Sequence, residues 1–71
     1  MVRARVSSSN LASIGYDPDN RILEVEFRNG GVYQYFDVPE RVHSELMSAS
    51  SHGKYFGVYV KKAGYRFRKI K

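Results

Sequence analysis

The side chains with the clearest capacity for chemistry lie at the end of this 71-residue chain. From Lys54 onward there are seven basic residues (Lys54, Lys61, Lys62, Arg66, Arg68, Lys69 and Lys71) and no acidic one. Residues 1–53 instead hold five basic residues against seven acidic ones, so the net charge of +5 is the sum of unlike halves. Clustered Lys and Arg neutralise phosphates, and exposed aromatic faces stack on unpaired bases. Tyr65 and Phe67 alternate with the basic residues of the last stretch, so the block points to a polyanion, and to nucleic acid in particular. A merely solubilising tail would use the same cations. A second aromatic pair, Tyr33-x-Tyr35, has two readings as well. Sheet tyrosines serve as stacking platforms in RNA-binding domains, and they are also favoured strand residues used for packing.

Catalysis has thinner support. His43 and His52 lack a third ligand at metal-binding spacing. Ser50 and Ser51 beside His52 resemble a nucleophile and base only in sequence, and helix capping accounts for both serines. Glu24 and Glu26 point the same way from one strand, which a solvated sheet face explains. Gly30-Gly31 has no phosphate-loop context and reads as a turn. A non-catalytic module with no cofactor and no metal is therefore expected.

Elements that position these residues follow from periodicity. Ala12, Ile14 and Tyr16 alternate with Leu11, Ser13 and Gly15 in a first strand, where Gly15 suggests a bulge or a close backbone approach. Asp17-Pro18-Asp19-Asn20 is a turn, with carboxylate and amide side chains placed to bond nearby amides. Leu23, Val25 and Phe27 then alternate with Glu24, Glu26 and Arg28, giving one core face and one wet face.

The turn that follows decides where the tyrosines go. A two-residue Asn29-Gly30 turn pairs Phe27 with Val32 and Leu23 with Phe36. A three-residue loop with Gly30 left-handed pairs Val25 with Tyr33 and Leu23 with Tyr35. Side chains alternate with a period of two, so the choice moves the tyrosines between faces. The longer loop is favoured because it sets Gln34 opposite Glu24 and keeps an amide away from Val25.

Asp37 and Glu40 have capping-box spacing, with Pro39 suited to a first helical turn. The helix to about Ala49 gathers Val42, Leu46 and Met47 on one side. Ser50 or Ser51 caps a second helix, roughly His52 to Lys62, which places Phe56, Tyr59 and Val60 together. Gly53 and Gly57 weaken that helix by about 1 kcal/mol each relative to alanine, and Gly64 ends it. Residues 65–71 either add an edge strand or hang free. The start of the chain is expected to fray up to about Val6.

A chain of this length makes one domain with a small core, about 6–62, and a basic tail over 63–71. It has no cysteine, so no disulfide or thiolate metal site holds it. No apolar run approaches a membrane span and no signal peptide is evident, so a cytoplasmic protein with no membrane contact is expected.

As an ordered set, the serine-rich start, Gly15-Tyr16, Leu23-x-Val25-x-Phe27, Gly30, Tyr33-x-Tyr35, Val38-Pro39 and Ser51-x-Gly53 resemble the KTSC domain over about Val6 to Lys61. That family occurs at the C-terminus of some lysyl-tRNA synthetases and as small stand-alone bacterial proteins. The resemblance carries no established activity with it. Its synthetase association implies RNA binding, and Tyr33, Tyr35, Gly30, Pro39 and Gly53 become signature positions with a structural role. The expected architecture is α+β, a three-stranded antiparallel meander packed on two short helices, with a C-terminal strand as an optional addition. The expected function is RNA or other nucleic-acid binding through the basic block. The alternative is a protein-interaction module, or a homodimer, acting through an exposed sheet edge or aromatic patch.

Overall fold

Leu23, Val25 and Phe27 sit on β3 (Ile22–Phe27), the middle strand of a five-stranded antiparallel sheet in this computed structural model, which describes residues 1–71. The other strands are β1 (Arg3–Arg5), β2 (Leu11–Asp17), β4 (Val32–Tyr35) and β5 (Phe67–Lys69), and spatial order follows chain order. Between β4 and β5 the chain forms α1 (Glu40–Ser48) and α2 (His52–Phe56), the latter continued by a π-helical turn, Gly57–Lys61. The fold is α+β.

The Gly30 turn takes the longer form. Gly30 is left-handed at φ 95°, Gly30 N donates to Phe27 O at 2.9 Å, and Phe27 N donates to Gly31 O at 2.8 Å. Val25 then faces Tyr33, Leu23 faces Tyr35 and Glu24 faces Gln34. Both tyrosines thereby join the face that carries the core. Leu11, Ile14, Leu23, Val25 and Tyr35 from the sheet meet Val38, Val42, Leu46, Phe56 and Val60 from the helical layer.

Several expectations need correction. The sheet has five strands, two more than the three-stranded meander. Arg-Ala-Arg offers no apolar alternation, so β1 leaves no periodic signal. Main-chain pairing with β2 holds it, and residues 3–5 are therefore part of the sheet. Of the two outcomes open for residues 65–71, the edge strand is the one that forms, since β5 pairs with β4. Simple alternation places Leu11 on the face opposite Ile14, yet both are buried. A register irregularity between Leu11 and Ser13 turns Leu11 inward. Gly15 is the site of close approach instead, since a Cβ there would lie 2.7 Å from Val2 O.

The Asp37–Glu40 capping box does not form. Asp37 is left-handed at φ 59°, while Pro39 occupies the N-cap position and α1 has no side-chain cap. Tertiary bonds fix this connection: Tyr16 Oη donates to Val38 O, and Val38 N donates to Arg21 O at 2.9 Å. Ser51 does cap α2, accepting from Lys54 N at 3.2 Å. The predicted single helix changes winding at Gly57, where Lys62 N reaches back five residues to Gly57 O at 3.3 Å. Gly64, at φ 85°, lies beyond its end.

Tyr55 ties the helices together, its hydroxyl donating to Glu45 Oε1 at 2.7 Å. Desolvation and then that carboxylate push its phenol up to about 12. The neutral form is the bonded one, so its contribution is complete below the ordinary value of 10.0 and fades as pH rises through about 12. Alkaline spectrophotometric titration is expected to include a tyrosine step at about 12, and Tyr55→Phe should delete that step. Unchanged titration in the variant would assign the step elsewhere.

Candidate nucleic-acid interface

Because β4 turns Tyr33 and Tyr35 toward the helices, their rings meet Phe27 of β3, Phe56 of α2 and Phe67 of β5. Ring centroids lie 5.6 Å apart for Phe27–Tyr33, 5.4 Å for Phe27–Phe56 and 5.5 Å for Tyr35–Phe56. Phe67 is 6.0 Å from Tyr33 and 5.5 Å from Tyr35. Helical cover runs out along this row. Tyr35 is buried, Tyr33 half-buried, and Phe67 is 59% exposed. The five rings line a groove of about 500 Å³ whose remaining walls are Asn29 and Lys61.

A second cleft of similar size adjoins it and shares Phe27, Asn29, Phe56 and Lys61. Its polar lining adds Asn10 and Arg28, and no carboxylate lines either cavity. Asn29 Oδ1 already accepts from Gly31 N at 2.9 Å, which leaves its amide hydrogens to donate. Burial, and then the neighbouring Tyr33, push the Tyr35 phenol up, so its ring is neutral at physiological pH.

The basic block is distributed unevenly around this groove. Lys61 stands on its wall, and Lys69 pairs with Tyr33 across the strands. Arg68 pairs with Gln34 and so faces the opposite side of the sheet. Lys71 ends the chain, its carbonyl accepting from Val32 N at 3.1 Å. Lys62 is exposed just past the π-helical turn. Lys54 lies apart, in a wholly polar cleft with Ser7–Asn10 and Ser50–Gly53. Arg66 is partly committed, 3.4 Å from Asp37 Oδ2 and with its guanidinium 5.4 Å from the Phe36 ring centroid. Tyr65 is half-buried against the core and Phe67 is open, so of the two interleaved aromatics only Phe67 offers a free face.

Among the signature positions, Gly30 and Tyr35 have structural work, while Tyr33 both packs and lines the groove. Pro39 marks the start of α1. Gly53 needs no special backbone, and a Cβ there would meet Asn10 Nδ2 at an ordinary 3.5 Å.

The other sheet face is not the wet surface expected. Glu24 is 5% exposed, paired with Arg3 from β1 and accepting from Gln34 Nε2 at 2.9 Å. Arg3 Nε also donates to Ser13 Oγ at 2.9 Å, and Ser13 donates to Glu26 at 2.8 Å. Burial alone would raise the Glu24 carboxyl. The bonds from Gln34 and Arg3 and the Arg3 charge outweigh it, holding Glu24 below its ordinary range. The Gln34–Glu24 pair follows from the register, but no sequence signal marks the part of Arg3, because its strand has no periodicity of its own.

A family model described as "KTSC domain" matches residues 7–65. The chain belongs to the KTSC domain family. Its fold is that of a KTSC domain protein from Yersinia pestis known from a crystal structure, with a TM-score of 0.93 and 53% identity over 99% of this chain and 97% of that one. An uncharacterised Stutzerimonas stutzeri protein is 44% identical, with 99% of each chain covered. A lysine–tRNA ligase of a Nostoc species is 44% identical over 53 residues, which is 75% of this KTSC chain and 9% of the ligase. The KTSC domain thus occurs both by itself and as a small part of larger proteins.

Proposed function

We propose that this KTSC domain is a non-catalytic RNA-binding module of the cytoplasm that holds phosphates with its C-terminal cations. The observation that carries this reading is the acid-free basic block, two of whose members, Lys61 and Lys69, flank the aromatic groove. The presence of a matching segment in lysine–tRNA ligases supports RNA over other polyanions. Titration with single-stranded and structured RNA at low salt is expected to move the amide signals of residues 54–71. Affinity should fall steeply as salt rises, because each neutralised phosphate releases counterions. Lys61→Glu combined with Lys69→Glu should weaken binding by about tenfold or more, since every phosphate left without its cation removes part of that electrostatic term. Binding indifferent to salt and to both substitutions would overturn the reading.

The alternative, a protein-interaction surface or homodimer, draws on one observation: Phe67 and Ile70, 59% and 42% exposed, lie at or beside the free edge of β5. A dimeric mass in solution that Phe67→Asp abolishes would favour it.

A further inference from the structure

We infer that the aromatic groove and the cleft beside it form a subsite for one unpaired nucleotide, with the base against Phe67 and Tyr33 and its phosphate between Lys61 and Arg28. The inference rests on the RNA-binding reading and adds to it a ligand class, strands with unstacked bases, and a place. Scattered apolar side chains on a surface are ordinary. Phe67 is different because it is the open end of a row of five touching rings, and its exposed face continues a concave wall. Aromatic faces of this kind bind bases of any identity once those are unstacked, which a duplex interior does not provide.

Charge selects the occupant. The groove has a cation on its wall and no carboxylate, and Lys61 belongs to both cavities, so a phosphate attached to a base in one would fall beside the cations of the other. Arg28 Nε donates to Ser8 O, which anchors the side chain and leaves its terminal nitrogens for an anion. The free amide hydrogens of Asn29 lie where the two cavities meet, in reach of acceptors on a base edge or sugar. A hydrophobic peptide would gain nothing from these three donors, and an acidic peptide would leave the rings unused.

Phe67→Ala tests this directly, because the side chain lies on an exposed edge strand outside the buried core. Affinity for a short single-stranded RNA and for a duplex RNA of equal charge should be measured at one low salt concentration. Wild type is expected to prefer the single strand, and Phe67→Ala should weaken that complex by about fivefold or more while leaving duplex affinity unchanged. Phe67→Tyr should restore the preference, and Tyr33 and Phe56 signals should shift with the single strand alone. Salt-dependent binding that Phe67→Ala leaves intact, or groove signals that respond equally to duplex, would overturn the subsite and leave the RNA-binding reading standing. A wild-type protein that binds neither RNA removes both. Equal groove shifts with a neutral aromatic peptide would also overturn the nucleotide assignment.

Discussion

Leu46→Ala is expected to destabilise the domain by about 2–5 kcal/mol, the range for truncating a fully buried leucine. Leu46 is 0% exposed and, with Val42 of the same helix, shares one core cluster over the sheet with Phe56 and Val60. α1 lacks a side-chain cap and α2 has only one, so apolar contact is what keeps the helical layer in place. Native domains have only about 5–15 kcal/mol in total, and a small one sits near the low end. The variant should therefore be close to unfolding at room temperature. Urea denaturation checks it: the midpoint should fall sharply with little change in slope. A loss under about 1 kcal/mol would mean that neighbouring side chains collapse into the space and that Leu46 is not the keystone of the layer.

Arg3→Ala is the second large effect, and it acts on the opposite face. Removing one partner of a buried ion pair costs about 3–5 kcal/mol when the remaining charge stays dry. The Arg3 side chain is 29% exposed, so water can replace it in part, and about 1–3 kcal/mol is the expected loss. The pH dependence identifies the cause. Glu24 has a depressed folded-state pKa, so its contribution is complete above its unfolded value of 4.5 and disappears as pH falls through the folded value. Wild type should lose more stability than Arg3→Ala below pH 4.5, and the two curves should converge in acid. Parallel curves, or a Glu24→Gln background in which Arg3→Ala has the same effect, would refute the pairing as the source.

The central half of the fold is legible because its signals are local. Leu23, Val25 and Phe27 alternate cleanly, and matching Gln34 to Glu24 is enough to choose the turn and the face of both tyrosines. The outer strands are harder for a physical reason. β1 and β5 are three residues long; β1 owes its place to main-chain pairing and has no apolar alternation, and the alternation around Phe67 is too short to choose between an edge strand and a free end. Without β1 the fate of Glu24 is hidden too, since its cover comes from Arg3. Asp37 misleads because its spacing to Glu40 is right while its backbone is left-handed, a conformation that spacing does not reveal. The basic block and Phe67 are legible as residues. That Phe67, Tyr33 and Phe56 share one groove depends on the return of β5 to β4 across both helices, a long-range fact.

The two outer strands have a colloidal consequence. Each is a free edge with unpaired main-chain groups, the kind of surface on which copies of a protein grow into aggregates. Arg5 lies on one edge, and Arg68 and Lys69 on the other, so copies approaching edge to edge meet like charge. Solubility should then lean on ions staying dilute, because salt shortens the reach of that repulsion. The concentrated salt used to strip a polyanion from such a domain is also the condition under which its edges are least defended.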